Sequence, residues 1–255
     1  MSLLREVEAI VTEAGREALR SWGDIRPELK ADETYVTEVD RRTEDILAEK
    51  LTALLPHSVF AGEEQGRRGS SDAAEVWVCD PIDGTLNYVH GLPHWGISAG
   101  LLKDGEPVLG VVYCPVLGIT YSAAAGAGAR RNGKPIRAVS PERLIHEDLL
   151  CLSTNALKAL DIGGMVCRVR CLGSIALELC LVAEGHAVGA IGLGEGIVDL
   201  AASLCICKEA GAESAYLSGA SLKAGELLKE WRTSQPFWVG TTAARALLDG
   251  MIKPR

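Results

Sequence analysis

Residues 75–85 read EVWVCDPIDGT, an apolar strand that runs directly into two aspartates three positions apart, a glycine and a threonine. Two other acidic elements lie at comparable places. Gly62-Glu63-Glu64 follows the apolar VFA, and Asp199 follows a glycine-rich loop, 192–196, and opens a helix. Carboxylates at several strand ends can converge in space. Hard cations such as Mg²⁺ take oxygen ligands, typically one or two carboxylates with waters and substrate phosphate. Two such ions, about 3.5–4 Å apart, can clamp the attacking and leaving oxygens of a phosphoryl displacement. Gly84-Thr85 starts a short helix through Leu86-Asn87-Tyr88. Free N–H groups at a helix start bind phosphate, and glycine lets the backbone come close. One loop thus offers cation ligands and anion donors together, which is what a metal-assisted phosphatase needs. A polar turn with a helix-capping Asp accounts for a single aspartate. It does not account for D-P-I-D-G-T after a strand, with Glu63-Glu64 upstream and Asp199 downstream.

Composition narrows the class. At 255 residues, with 47% hydrophobic and 24% charged side chains, the chain can bury a full core. It has no apolar run approaching the roughly 18 residues of a membrane helix. The first 22 residues carry Glu6, Glu8, Glu13 and Glu17, unlike a signal or transit peptide. A net charge of −8 is the wrong balance for a general nucleic-acid binder. Eight cysteines (79, 114, 151, 167, 171, 180, 205 and 207) form no C-x-x-C pair and sit mostly in apolar runs. They read as free, buried thiols rather than zinc ligands or disulfides, and the compartment as the cytoplasm.

The periodicity predicts an amphipathic helix over 2–22 and a second opened by Thr37-Glu-Val-Asp40 and ended at Pro56. Strands are expected at Ser58–Ala61 and Glu75–Cys79, with a Gly/Arg/Ser loop over 66–72 between them. A meander follows over 95–136, turning at Asn132-Gly133. Beyond about 145 the pattern alternates. DLLCLS, CRVRCL, AVGAI and FWVG read as strands; 174–183, 198–210 and 241–251 read as helices. The expected architecture is one compact unit over 1–255. An N-terminal α+β half, 1–140, carries helices on an antiparallel sheet, and a C-terminal α/β half covers 141–255, with the site at their junction.

Asp83-Gly-Thr-Leu86 has a superficial likeness to the haloacid dehalogenase motif D-x-D-G-T-L. Here the aspartates are three apart instead of two, and the loop is far from the N-terminus. The chain instead resembles the inositol monophosphatase family of Mg²⁺-dependent, lithium-sensitive phosphatases. The resemblance rests on Gly62-Glu-Glu64, Asp80-Pro-Ile-Asp-Gly-Thr85 and Val198-Asp-Leu-Ala-Ala202. It also includes Asn132-Gly-Lys-Pro-Ile136 and Gly173-Ser-Ile-Ala-Leu-Glu-Leu-Cys180. It implies a layered α-β-α-β-α sandwich, usually dimeric, acting on a small phosphorylated substrate with neither nucleic acid nor membrane as partner.

By the resemblance, Glu63, Asp80 and the Ile82 carbonyl hold one Mg²⁺. Asp80, Asp83 and Asp199 hold a second, and Glu63 helps with a weaker third; Mn²⁺ is an alternative ion. Gly84 and Thr85 receive phosphate on backbone N–H groups, with Asp83, Gly173 and Ser174 beside it. The Thr85 hydroxyl, paired with Asp40, orients and activates the attacking water, without a phosphoenzyme. Thr37-x-x-Asp40 also fits a capping box. Glu64 reads as outside the ligand set, Lys30 as a loop residue near the site, and His90 and His94 as separated by Pro93.

Two departures bear on substrate. Val198 stands where the family usually has Trp. Ungapped alignment puts Gly192 where inositol-selective members carry a Glu that contacts substrate hydroxyls, and Glu195 is the nearby substitute. The 153–168 segment, expected to line the substrate mouth, is short. These departures weaken strict inositol selectivity: the inositol 1-phosphate class stays the leading expectation from the resemblance, with fructose 1,6-bisphosphate, alone or in dual specificity, 3′-phosphoadenosine 5′-phosphate and histidinol phosphate as alternatives. A non-catalytic regulatory relative should lack ligands, and every one is present here.

Overall fold

The structure, a computed structural model, describes residues 2–31, 33–68 and 74–255. Five layers stack as α-β-α-β-α. Helices Leu3–Ser21 and Glu38–Leu54 form the first. Val7, Val11, Ala14 and Ala18 recur at helical spacing and are fully buried, which seats the first helix on the large sheet. Thr37 caps the second as expected: its N–H donates to Asp40 Oδ2 at 2.8 Å, and the Asp40 N–H donates back to Thr37 Oγ1 at 3.4 Å.

The large sheet has eight strands in the order 134–135, 129–131, 119–124, 106–114, 96–103, 75–83, 59–62, 66–68. All neighbours are antiparallel except Val59–Gly62 with Glu75–Asp83, which run parallel. Their acid-bearing ends, Gly62-Glu63 and Asp80–Asp83, therefore finish on the same edge of the sheet. Part of the predicted 66–72 loop is strand, Gly66–Arg68, hydrogen-bonded to 59–62. Its remainder, 69–72, lies outside the described residues.

The middle layer is Ile175–Ala183 and Ile197–Glu209. The second of these is buried at ten positions, as an all-round apolar helix must be. It packs against the large sheet and also meets strand Glu213–Tyr216 of the second sheet. The close approach needs missing side chains. A Cβ on Gly100 would meet Ala201 and Ala202, and one on Gly110 would fall on the Ala202 backbone. The second sheet has five strands ordered 168–170, 149–152, 189–192, 237–240, 213–216, the first three parallel and the last two added antiparallel. Helices Thr154–Ala159 and Thr242–Leu248 cover its outer face.

Most expected elements are present, with several differences. CRVRCL is strand only at Arg168–Arg170. Strand Glu213–Tyr216 and helices Thr154–Ala159 and Ala224–Glu230 have no counterpart in the predicted elements. The two helices are six and seven residues long, too short for a periodic pattern to register.

Candidate active site

The strand that sequence reading stopped at Cys79 continues to Asp83, with a register shift against Gly96–Lys103 between Asp80 and Asp83. Pro81 has no N–H to give the ladder, and an irregularity of this kind re-aims side chains. Asp80 and Asp83 thereby meet Asp199, which arrives on the first turn of the middle-layer helix. One carboxylate oxygen from each lies within 4.8 Å of the others. Each carboxylate is tethered from behind. Asp80 Oδ1 accepts the Ile82 N–H at 2.8 Å, and Asp199 Oδ2 the Gly196 N–H at 2.7 Å. Asp83 Oδ2 accepts the Ser174 hydroxyl and, at 3.0 Å, the Ala176 N–H.

Burial, then Glu63, Asp199 and Asp83, drive the Asp80 pKa well above the usual carboxylate range. Burial and Asp199 do the same to Asp83 against its Ser174 and Ala176 bonds. Burial and Glu195 raise Asp199 to about 6. Glu63 is raised by burial and by Asp199. Among the described residues, Lys30 Nζ lies 3.4 Å from Glu63 Oε1 and 2.5 Å from Glu64 Oε1, and the Arg232 charge also favours the ionised Asp199. Burial works against the Lys30 charge, yet the two glutamates outweigh it and raise its pKa. A cluster of buried carboxylates with so little positive charge is costly unless cations neutralise it. All donors are oxygens, so the set fits hard divalent ions.

Next to the triad, Gly84 adopts φ 90°, open to glycine without strain, and starts the helix Thr85–Val89. A Cβ there would lie 2.9 Å from the His94 carbonyl and 3.1 Å from that of Gly173. Asp40, on helix Glu38–Leu54, divides its two oxygens. Oδ2 completes the cap and Oδ1 faces Thr85 Oγ1 at 3.4 Å. The Thr85 hydroxyl is also 3.0 Å from the Ile82 carbonyl. It has one proton for two acceptors. Burial raises Asp40 to about 6, against its Thr37 bonds.

Residues 2–236 match the model of the inositol monophosphatase family. The chain belongs to that family. An inositol-1-monophosphatase of Mesorhizobium japonicum is 32% identical over 222 residues, covering 82% of this chain and 84% of the relative. A fructose-1,6-bisphosphatase/inositol-1-monophosphatase of Aquifex aeolicus is 34% identical over 221 residues, 81% of this chain and 83% of the relative. The crystal structure of the extragenic suppressor protein suhB of Bartonella henselae superposes with a TM-score of 0.84 at 25% identity, covering 98% of this chain and 100% of that one. Such kinship implies a phosphatase. The layered sandwich expected from the family motifs is the fold observed.

In this inositol monophosphatase-family chain, Ser174 is buried behind Asp83, with its hydroxyl given to that carboxylate. Gly173, at φ 76°, places its carbonyl beside Gly84. Two residues that sequence reading missed brace this turn. Asn87 Nδ2 donates to the His94 and Leu172 carbonyls at 2.6 and 2.7 Å. Glu178 Oε1 accepts the Leu172 and Gly173 N–H groups at 2.6 and 3.3 Å. The signal for Glu178 was present, an acid in the otherwise apolar IALELCLVA.

Burial raises Glu178 to about 8 against those two bonds. The folded chain therefore holds a proton at neutral pH that the unfolded chain has released. Stability is lost as pH rises from the ordinary carboxylate range toward the folded value. Thermal melts of Glu178→Gln between about pH 5 and 8.5 should show a flatter decline than the parent; parallel curves would refute this assignment.

His94 contributes its backbone carbonyl to this turn, and the His90 ring packs edge-on to Tyr35 with centroids 6.5 Å apart. Neither joins the triad. The cysteines are free thiols; Cys171 is exposed, contrary to the buried expectation, and the other seven are buried.

Proposed function

We propose that this chain is a Mg²⁺-dependent phosphomonoesterase acting on a small polyol or sugar phosphate of the inositol 1-phosphate class. The observation that carries this reading is the convergence of Asp80, Asp83 and Asp199 beside the Gly84-Thr85 turn. Glu63, Asp80, the Ile82 carbonyl, Asp83 and Asp199 would hold two or three divalent ions. Bound there, such ions neutralise the phosphate oxygens and lower the pKa of water. The Gly84 and Thr85 N–H groups receive the phosphate, in a turn whose shape Gly173, Asn87 and Glu178 maintain. Ser174 keeps Asp83 in the orientation the site needs. Thr85, with Asp40 behind it, aims a water at phosphorus opposite the ester oxygen and draws off its proton. The P–O bond to the alcohol then breaks, and the alcohol oxygen takes a proton from solvent.

Phosphate release with Mg²⁺ from inositol 1-phosphate, fructose 1,6-bisphosphate, adenosine 3′,5′-bisphosphate and histidinol phosphate tests this. Release abolished by EDTA and lowered by millimolar Li⁺ is expected, with inositol 1-phosphate turned over fastest. No release from any of them by folded, metal-loaded protein would overturn the reading.

Asp40 supplies a second check. A base must be ionised to draw a proton, and Asp40 loses its own near pH 6. The pH profile of kcat/KM should fall on the acid side, at or below about pH 6, since bound cations favour the Asp40 carboxylate. Asp40→Asn should lower the plateau by about 10²-fold or more, the usual range for a lost general base. A plateau within a factor of two would reduce Asp40 to a helix cap.

A further inference from the structure

We propose that the outer side of the second sheet carries a second ligand site, a cavity at Arg245 that takes a small apolar monocarboxylate. The acid group lies on the guanidinium and the hydrocarbon body among Leu193, Leu217, Leu248 and Ile252.

The cavity has a volume of about 510 Å³ and lies between helix Thr242–Leu248, the turn after strand Glu213–Tyr216 and the C-terminal segment. Glu63, Asp80, Asp83 and Asp199 take no part in its walls. Its size falls within the range of small-molecule sites, about 300–1,000 Å³, which are mostly apolar with a few polar groups that orient the ligand. Leu160 and Leu248 belong to the buried core beneath it, whereas Leu193, Leu217 and Ile252 pack on that core and stay half-exposed. Water there meets apolar side chains, so an apolar ligand that displaces it gains by burial.

The walls are set before a ligand arrives. Leu193 is held by both backbone groups: Ser153 Oγ accepts its N–H and Asn155 Nδ2 donates to its carbonyl, each at 3.3 Å. The Leu217 N–H donates to the Pro236 carbonyl at 2.8 Å. The last residues are tied down as well. Lys253–Pro254 pairs antiparallel with Leu160–Asp161, and the Arg255 N–H donates to the Ala159 carbonyl at 3.0 Å. Binding therefore has little chain left to order, and ordering is one of the main costs of association.

Arg245 supplies the charge. Its Nη2 donates to the Leu217 carbonyl at 3.1 Å, and its Cζ stands 6.0 Å from the centre of the Trp238 ring. The guanidinium is thus fixed at the cavity wall. It is half-buried and, among the described residues, forms no ion pair. A guanidinium carries five N–H donors in a fork that fits a carboxylate, and one bond to a carbonyl leaves most of them unused. Asp249, exposed, also borders the cavity. A second acid group on the ligand would meet its like charge, which is why one carboxylate suits the site and two do not.

The test is isothermal titration calorimetry of the Mg²⁺-loaded protein with octanoate and 1-naphthoate, each beside its neutral alcohol, 1-octanol and 1-naphthalenemethanol. The parent, Arg245→Gln and Ala159→Phe are compared. The parent should bind at least one acid, and its alcohol about 10- to 100-fold more weakly, as for a lost hydrogen bond to a charged group. Tighter octanoate marks an acyl-chain ligand, and tighter naphthoate an aromatic one. Arg245→Gln should weaken the acids by the same factor and leave the alcohols unmoved. Ala159→Phe, which adds a ring at the cavity wall, should weaken acids and alcohols alike. No binding of either acid at millimolar concentration, equal binding of acid and alcohol by the parent, or an Arg245→Gln with the parent's affinity overturns the assignment. So does a parent that sediments as an oligomer which either variant breaks, since a second copy of the chain would then cover the cavity.

Discussion

Asp83→Asn and Asp199→Asn should each lower kcat/KM for phosphate release by at least about a hundredfold, more than outer-shell changes around a metal produce. The fold should survive. The donors to Asp83 and Asp199, the Ser174 hydroxyl and the Ala176 and Gly196 N–H groups, can all serve a side-chain amide oxygen. Removing one of several buried like charges also relieves repulsion, so each metal-free variant should melt above the metal-free parent near pH 8. The response to metal should then invert. At Mg²⁺ about 100 times its Kd, a single site adds about 2.7 kcal/mol to the parent. At about 2–4 °C per kcal/mol for a chain of this size, that is a rise of about 5–10 °C. Both variants should lose most of it. Scanning calorimetry with and without Mg²⁺ decides the matter. A variant that keeps both turnover and the full metal-dependent rise would show that its carboxylate is not a ligand.

The second large effect lies away from the chemistry. Gly110→Ala adds one carbon at the point where the large sheet meets helix Ile197–Glu209, and that carbon would land on the Ala202 backbone. A flexible side chain could move aside; a buried helix backbone cannot without shifting the whole element. The expected loss is about 3 kcal/mol, at the upper end for overpacking, or about 6–12 °C in Tm. The same shift would carry Asp199 away from Asp80 and Asp83. Mg²⁺ should therefore stabilise Gly110→Ala less than it stabilises the parent. A metal response equal to the parent's would mean that the sheet yields and the helix does not.

Much of the site was legible because its signals are local. Asp80, Asp83 and Gly84 fall within one turn, and Thr37 with Asp40 has the spacing of a cap. The grouping of Asp199 with Asp80 and Asp83 is what the family resemblance implies, and the fold brings one oxygen of each within 4.8 Å of the others. What stayed hidden depends on tertiary contact. Gly100 and Gly110 look like ordinary strand glycines until helix Ile197–Glu209 lies on them. Glu178 stands out as the lone acid of an apolar helix, yet its partners Leu172 and Gly173 are set only when the turn folds over it. Trp231 and Thr233 hold the backbone of 194–197 through hydrogen bonds, and no periodicity connects those two stretches. The end of the strand was misplaced at Cys79 because proline and aspartate signal a turn, and here the sheet continues through them with a shift in register.

The three converging aspartates come from two layers. Asp80 and Asp83 belong to the large sheet, and Asp199 to the helix pressed between the two sheets. Neither half of the chain owns all three. A folding intermediate with the first sheet formed and the middle helix undocked would hold two of the three aspartates and bind a divalent ion weakly. Catalytic competence would then arise late, at the docking step. Gain of metal affinity during refolding would report that step directly, as a clock built into the chain's own carboxylates.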